Sequence, residues 1–257
     1  YENTDNLYIF ALNKETMQIE KRPIYAFIKR EGEQFLYKII TQSGKSSITT
    51  GCHPVMTFKD GNVCSEVVEH LTTNDVIATP RSLEIEAKKQ VKFEDKIIDK
   101  DFARMLGYLI GDGYIKQEYI ELINSNQGII QDFRRAYAKV FSYENFKTYH
   151  ETEKCITRIN SKNHAAFFQR LFRNKMLTNL YKNIPQELLV SPDEVIRSLL
   201  GGLYDTDGYV SEDGNEIEYS SKNERLVDDM QMLLLRFGIH SMKKRKIKHA
   251  ANTEKKI

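Results

Sequence analysis

The sequence has little of what secreted or membrane-bound proteins need. Its 257 residues include only three cysteines, Cys52, Cys64 and Cys155, which we interpret as reduced, mostly packing residues of an intracellular protein. No stretch is long and apolar enough to span a membrane, and the N-terminus does not resemble a signal peptide. We therefore expect an intracellular protein that is not secreted and has no membrane partner.

The sequence also lacks an excess of charge of one sign. Lysine and arginine number 38 against 36 aspartates and glutamates, which gives a net charge of +2. Overall charge therefore barely favours a nucleic-acid partner, and any such partner has to be inferred from local patterns. The length itself predicts two domains.

What the sequence does contain is a repeat. Met105–Gly113 reads MLGYLIGDG and Leu200–Gly208 reads LGGLYDTDG. Small residues four positions apart lie on one helix face, so two helices with these sequences can approach closely. Superposition of the two segments pairs Gly107 with Gly202, Gly111 with Thr206, and Asp112 with Asp207.

Each segment follows a helix start signal. Asp99 or Asp101 can cap the first helix. Ser191 can cap the second, with Pro192 at the first helical position and Glu194 three residues after the cap. Both segments are therefore predicted to be helices that end at Asp-Gly, because glycine commonly ends a helix.

An aspartate at the end of each helix is unfavourable, since its carboxylate faces the negative end of the helix dipole. Asp-Gly alone is also an ordinary turn signal. Two carboxylates at equivalent positions beside a close helix contact are better explained by a bound cation. Oxygen ligands favour a hard ion such as Mg²⁺, for which Mn²⁺ can substitute. The predicted metal ligands are Asp112, Asp207, Gly111 and Thr206.

The paired motifs resemble those of the LAGLIDADG homing endonucleases, in the form with two motifs in one chain. Tyr181–Pro185 is similar to the Lys-x-Ile-Pro element that precedes the second motif, and Glu218–Ile239 is similar to the strand–helix segment that follows it. The resemblance covers roughly Asp99 to Lys248.

This resemblance implies a metal-dependent enzyme that hydrolyses phosphodiester bonds in double-stranded DNA. Asp112 and Asp207 would be catalytic. Lys182 would orient or deprotonate the attacking water, or stabilise charge. Lys243 or Lys244 is the candidate for the corresponding lysine of the second half.

The first 95 residues have the pattern of short strands separated by turns, including Gln42–Gly44 and Lys59–Asn62. The pattern predicts a compact all-β unit. Its predicted strands are Leu7–Leu12, Pro23–Ile28, Phe35–Ile40 and Val55–Phe58.

Within this region, Ser47–Thr57 followed by Leu71–Pro80 resembles the splicing domain of inteins, which is shared with hedgehog autoprocessing domains. In that family a Thr-x-x-His element, here Thr50 and His53, assists cleavage of the N-terminal scissile peptide. The resemblance implies that His53 protonates the departing amide nitrogen while Thr50 holds the peptide. A turn histidine with no such role is the alternative.

Protein splicing also needs a nucleophilic side chain at the first residue of the intein. The last residue of the intein has to be an asparagine, which is usually preceded by histidine. The chain begins at Tyr1 and ends at Ile257, and its cysteines are internal. We expect that the chain as given does not splice, and that host-protein exteins flank it in a full-length precursor.

Two segments are candidates for DNA contact. Alternation along a strand puts Lys154, Arg158, Asn160 and Lys162 on one face, where they can pair with purine edges. A solvated surface is the alternative for both segments. The basic run that can neutralise phosphates comprises Lys243, Lys244, Arg245 and Lys246.

The expected fold class is α+β. An incomplete all-β Hint-like domain (residues 1–95) precedes a LAGLIDADG domain (96–257) of pseudo-two-fold αββαββα order. The second half is expected to be truncated after a strand at Ile239–Ile247. The other expected elements are a strand at Tyr119–Leu122, helices at Gln127–Phe141, Asn163–Phe172 and Asn223–Phe237, and a hairpin at Phe146–Asn160.

The sequence thus predicts a monomer with internal pseudo-symmetry. It would be an intein-type homing endonuclease that makes a double-strand break in a long asymmetric site, each half cutting one strand. Two alternatives share the fold: a catalytically inactive DNA-binding or maturase-like protein, and a splicing protein whose nuclease is decaying.

Overall fold

A computed structural model of the chain describes residues 7–29, 31–32, 35–85, 87, 89–151, 154–173 and 182–247. The structure is α+β and divides into two compact units. The first unit combines Tyr1–Leu83 with Leu235–Ile257, and the second is Glu84–Leu234. The second unit is therefore an insertion within the first. This division differs from the predicted boundary at residue 95. It also assigns the last part of the chain to the first unit.

The first unit contains three antiparallel hairpins in its described part. The second strand is displaced from its predicted position at Pro23–Ile28, because pairing with the preceding strand joins Tyr8 to Pro23 and ends there. The third hairpin turns at Asp60 and Gly61, whose φ angles of 51° and 78° are those of the expected tight turn. The strands are β1 (Tyr8–Leu12), β2 (Ile19–Pro23), β3 (Tyr37–Ile40), β4 (Ser46–Thr49), β5 (Pro54–Lys59) and β6 (Asn62–Val67), followed by a 3₁₀ turn at Val68–His70.

The segment after Leu235 does not form the predicted strand at Ile239–Ile247. The Lys243 amide donates instead to the Ser43 carbonyl at 2.9 Å, in the turn between β3 and β4. The segment is irregular because its backbone hydrogen-bonds to this turn and does not pair with a strand. The strand prediction was therefore wrong.

The second unit begins with a short hairpin and then repeats one motif of helix, strand, strand and helix. The first copy continues into a second hairpin and a helix, as expected. The elements of the first copy are β7 (Lys92–Phe93), β8 (Lys96–Ile97), α1 (Lys100–Gly111), β9 (Gly113–Ile115), β10 (Tyr119–Asn124), α2 (Gln127–Phe141), β11 (Lys147–His150), β12 (Cys155–Asn160) and α3 (Lys162–Leu171).

As far as the described residues go, the second copy is shorter. Its two strands pair with each other, whereas the first copy has a four-stranded sheet of order β11-β12-β10-β9. The predicted helices of both copies are confirmed to within one or two residues. The elements are α4 (Gln186–Leu189), α5 (Asp193–Asp207), β13 (Gly208–Val210), β14 (Ile217–Tyr219) and α6 (Glu224–Arg236).

Helix α1 lies at the centre of the second unit and contacts α2 and α5. Its side chains Phe102, Met105 and Leu106 are fully buried, as are Leu199 and Leu203 of α5. Among the described residues, no helix has the length and apolarity needed to cross a membrane.

The two helix starts differ from each other. Asp99 caps α1 as predicted, because its carboxylate accepts from the Phe102 amide at 2.9 Å. Ser191 does not cap α5. Its hydroxyl donates to the Glu187 carbonyl at 3.4 Å, and Pro192 occupies the cap position without a side-chain hydrogen bond.

Candidate metal and DNA site

The repeated helices α1 and α5 pack along their small residues. A Cβ atom added to Gly107 would lie 2.6 Å from the Leu199 carbonyl oxygen and 2.9 Å from the Gly202 Cα. A Cβ on Gly111 would collide with the Thr206 side chain, with 2.6 Å to its Cβ. The absence of side chains at the two glycines is therefore what lets these backbones approach, as the sequence predicted.

The close contact ends in the two predicted carboxylates. Asp112 caps the C-terminus of α1, and Asp207 is the last residue of α5. The Asp112 Oδ2 atom accepts from the Asn124 amide at 2.6 Å. The Asp207 Oδ2 atom accepts from the Tyr219 hydroxyl at 3.4 Å. Each carboxylate is thus held by the second strand of its own repeat.

The electrostatic surroundings disfavour negative charge at both positions. Burial raises the pKa of Asp112, while the Asn124 hydrogen bond and the Lys182 charge partly oppose that rise. Burial is the main cause that raises the pKa of Asp207, and the charge of Asp112 raises it further. The Lys182 charge and the Tyr219 hydrogen bond act to lower it. The two carboxylates are therefore close enough to repel each other, and a cation between or beside them would relieve that repulsion.

The oxygen donors available here fit a hard divalent ion. Within the described part of the chain, no group of three or more His, Cys, Asp and Glu side chains could hold a metal. A cation would therefore rely on Asp112 and Asp207, with water or the carbonyls of Gly111 and Thr206 completing its shell. Mg²⁺ suits such a set because it keeps several waters.

Lys182 is fully buried beneath the end of α1. Its ammonium donates to the carbonyl oxygens of Leu109 at 2.8 Å, Gly111 at 3.3 Å and Gly113 at 2.6 Å. Burial lowers the Lys182 pKa to about 8, although both aspartates oppose the shift. Because all three ammonium protons have backbone acceptors, this geometry favours charge stabilisation over direct handling of water.

The structure places two of the four residues predicted for the strand face, Arg158 and Asn160, on one strand. Alternate residues of β12 are buried, which leaves Arg158 and Asn160 on the outer face. Lys154 lines a cleft of about 440 Å³ together with Asp112 and Asn124. Lys162 does not belong to the strand, because it begins α3 and pairs with Glu118 at 2.7 Å.

The remaining predicted residues lie in the first unit. The basic run lies in the irregular segment after Leu235, so the structure does not group it with the strand face in one unit. The same position gives no support to Lys243 or Lys244 as the counterpart of Lys182. Tyr181 and Lys248 lie outside the described residues. The basic run comprises Lys243, Lys244, Arg245 and Lys246.

Thr50 and His53 form a turn before β5. The His53 amide donates to the Thr50 carbonyl at 3.3 Å, and the His53 carbonyl accepts from Val68 at 3.0 Å. The Thr50 Oγ1 atom lies 3.5 Å from the Cys52 sulfur. The His53 side chain is exposed, so it is accessible to a peptide.

Sequence reasoning missed Asn124 and Tyr219. Each follows its aspartate by twelve residues, so the superposition of the two repeats could have drawn attention to this shared position. Nothing in an isolated Asn or Tyr marks it as a partner of a carboxylate, because the contact forms only when the second strand folds back.

Comparisons with known proteins find one family match and several similar structures. Residues 194–256, which include α6 and all of α5 except Asp193, match the family model described as a LAGLIDADG-like domain. A solved structure of a mesophilic variant of the homing endonuclease I-DmoI is 15% identical, with a TM-score of 0.43, and the match covers 55% of this chain and 78% of that one.

Two curated relatives match most of the chain. The replication factor C small subunit of Methanocaldococcus jannaschii is 26% identical over 95% of this chain. The ATP-dependent DNA helicase Hel308 of the same organism is 28% identical over 89%. The chain spans only 13% and 19% of the lengths of these two proteins.

Proposed function

We propose that the second unit is a DNA endonuclease of the LAGLIDADG homing type, which hydrolyses both strands of a double-stranded site with a divalent metal. The observation that carries the proposal is the pair Asp112 and Asp207, delivered together by two helices in close contact. The family match over residues 194–256 supports it, because that range contains Asp207.

In this proposal the side chains of the protein position the metal ion and supply charge beside it. Asp112 and Asp207 hold Mg²⁺ or Mn²⁺, with Asn124 and Tyr219 fixing their carboxylates. Mg²⁺, when bound, supplies a water of lowered pKa and stabilises charge on the phosphate. Lys182 places a positive charge behind both aspartates.

The proposed DNA-contacting surface is the outer face of the four-stranded sheet. Lys154 borders the cleft beside Asp112, and Arg158 and Asn160 extend along the same face. As a monomer with two unequal halves, the protein would read an asymmetric site. Such a nuclease would act inside the cell, which the three free cysteines also suit.

A cleavage assay tests the nuclease. The substrate is the chain's own gene with the coding sequence for this chain removed, incubated with Mg²⁺, Mn²⁺ or EDTA. We expect a double-strand break that needs the metal and is absent in Asp112→Asn and Asp207→Asn. Asp95→Asn, which changes an exposed aspartate paired with Lys96, is the matched control and should cut like wild type.

Two results would oppose this assignment. Full double-strand cutting by Asp112→Asn would remove the aspartate pair from the mechanism. Sequence-specific binding without cleavage in either metal would indicate an inactive DNA-binding protein of the same fold.

We further propose that the first unit belongs to a protein-splicing domain in which Thr50 and His53 assist cleavage of the N-terminal peptide bond. The insertion of the second unit within the first supports this, because the chain leaves one unit and returns to it. The two relatives carry the names of different proteins, as expected for an element inserted into different hosts. Their similarity covers most of this chain but a small share of each host.

Expression of the complete reading frame tests splicing. Mass spectrometry should detect the flanking host segments joined to each other and this chain released. His53→Ala should accumulate the unspliced precursor, while His70→Ala, at an exposed histidine after β6, should splice normally. A mature host protein that still contains this chain would contradict the proposal.

A further inference from the structure

A cluster of charged and aromatic side chains lies on the outer face of the four-stranded sheet. Glu121 of β10 and Arg158 of β12 are direct cross-strand partners. Both Nε and Nη2 of Arg158 lie 2.6 Å from Oε1 of Glu121. The guanidinium carbon lies 4.4 Å from the centre of the Tyr119 ring and 4.9 Å from that of Tyr149. We call these four residues the Arg158 cluster.

The contacts of the cluster fix the plane of the guanidinium. Glu121 is only 6% exposed, so its carboxylate has little freedom to move. It accepts a hydrogen bond from Nε of Arg158 and lies within ion-pair distance of Nη2. Among the described residues, neither N–H group on Nη1 has a protein hydrogen-bond partner. Arg158 keeps 31% of its side-chain surface exposed, so a ligand can reach it.

The pairing of Arg158 with Glu121 has different consequences for two kinds of DNA contact. An arginine that serves a phosphate acts through its charge, and a buried carboxylate partly cancels that charge. An arginine that reads a base acts through the direction of its donors, and a fixed plane improves that direction. Glu121 therefore favours base recognition by Arg158 over phosphate binding.

We propose that Arg158 reads a guanine through its Nη1–Nη2 edge, and that Glu121 is the positioning residue that orients this edge. The inference rests on the proposed function. Guanine presents O6 and N7 in the major groove, which match two parallel donors of an arginine. Tyr119 and Tyr149 help to keep the guanidinium in place by cation–π contact.

The position of the cluster indicates where the guanine lies. Glu121 precedes Asn124 by three residues on β10, and Asn124 contacts Asp112. Three residues of strand span about 10 Å, which corresponds to roughly three base pairs. If β10 follows the DNA axis, the guanine lies about three base pairs from the cut, on the side of Asp112.

Selection from a pool of random duplexes tests the inference. The whole chain is incubated with the pool and Ca²⁺ in place of Mg²⁺, and bound duplexes are sequenced. Arg158→Lys should lower the preference for guanine at one position on the order of 10- to 100-fold and leave other positions unchanged. Glu121→Gln should weaken the same preference by a smaller factor.

A matched control and a double variant complete the test. Lys147→Met removes a charge directly opposite Arg158 on β11 and should weaken all sequences alike. Glu121→Gln should have no further effect on guanine preference in the Arg158→Lys background, because the two residues act as one unit.

Two results would overturn the inference, and a third would overturn the proposed function on which it rests. A uniform loss of affinity in Arg158→Lys would make Arg158 a phosphate contact. Unchanged selected sequences with a lower melting temperature in Glu121→Gln would make the ion pair a support of the sheet only. No enriched sequence for the wild-type chain would instead show that the proposed function itself fails.

Discussion

The Lys182 ammonium lies 2.6 Å from the Gly113 carbonyl oxygen and binds two further carbonyls of the same helix end. A lysine offers three donors and no acceptor, so no proton of this group remains for a water molecule. Lys182 therefore holds the backbone on both sides of Asp112, which is where the proposed metal would bind.

Replacing Lys182 by methionine should weaken metal binding as well as cleavage. The change leaves three carbonyls without their donor, at a cost of about 1–3 kcal/mol, and frees the backbone beside Asp112. We expect weaker Mn²⁺ binding by calorimetry and slower single-turnover cleavage that partly recovers at high Mn²⁺.

The control for this variant is Lys100→Met, at the exposed start of α1, which should bind Mn²⁺ like wild type. Unchanged Mn²⁺ affinity in Lys182→Met, with a cleavage rate that metal does not restore, would return Lys182 to a direct role with the attacking water.

Asp112→Asn should stabilise the metal-free protein at neutral pH. Burial raises the pKa of Asp112 in the folded state. At a pH above that pKa, ionisation of Asp112 therefore lowers the free energy of unfolding. At a pH below the ordinary pKa of an aspartate, the carboxyl is protonated in both states and stability does not change. Since the residue is partly exposed, solvent screening limits the gain to about 1 kcal/mol or less.

Urea unfolding at pH 7 and pH 3 measures this gain, which should be present at pH 7 and vanish at pH 3. Saturating Mg²⁺ should stabilise wild type by about 3 kcal/mol at a hundredfold excess over its Kd and the variant by much less. A variant less stable than wild type at pH 7 without metal would refute this account of the carboxylates.

Gly107→Ala should destabilise the second unit by about 1–3 kcal/mol. The new methyl group would meet the backbone of α5 at Leu199 and Gly202, and backbone cannot give way cheaply. Gly128→Ala, in the first turn of α2, is the control, because its methyl group meets only the Asn126 side chain at 3.1 Å and alanine favours a helix. Equal effects of the two changes on thermal unfolding would argue against the close helix contact.

Arg104→Met should cost about 2 kcal/mol in stability at neutral pH. Arg104 donates to Asp132 of α2 at 3.1 Å and pairs with Asp205 of α5, so its loss leaves two carboxylates without their shared cation. Burial acts to raise the Asp132 pKa, but hydrogen bonds from Arg135, Tyr108 and Arg104 hold it below the ordinary range.

That depressed pKa sets the direction of the pH dependence. The stabilisation from Asp132 is present above its ordinary pKa and is lost as pH falls through the folded-state value. The difference in free energy of unfolding between wild type and Arg104→Met should therefore become smaller in acid. A gap that stays constant from pH 7 to pH 2 would show that Arg104 acts through packing alone.

Much of the second unit was predictable because its signals are local. The apolar periodicity of α1 and α2 lies within single helices, as does the Asp-Gly that ends the first repeat. Small residues at Gly107 and Gly111 indicated a close partner, because two glycines on one helix face leave room for another backbone. The strands of the first unit were harder, because the register of β2 depends on its pairing with β1.

The sequence by itself therefore determined the repeated helices, their close contact and the two aspartates that they carry, because helix patterns and small-residue spacing are properties of neighbouring positions. Only the tertiary structure decided that Lys182 lies behind Asp112, that Glu121 holds Arg158, and that Lys243 returns to Ser43. Each of these contacts joins residues far apart in the chain. Such contacts depend on how strands and helices fold against one another, which no local pattern records.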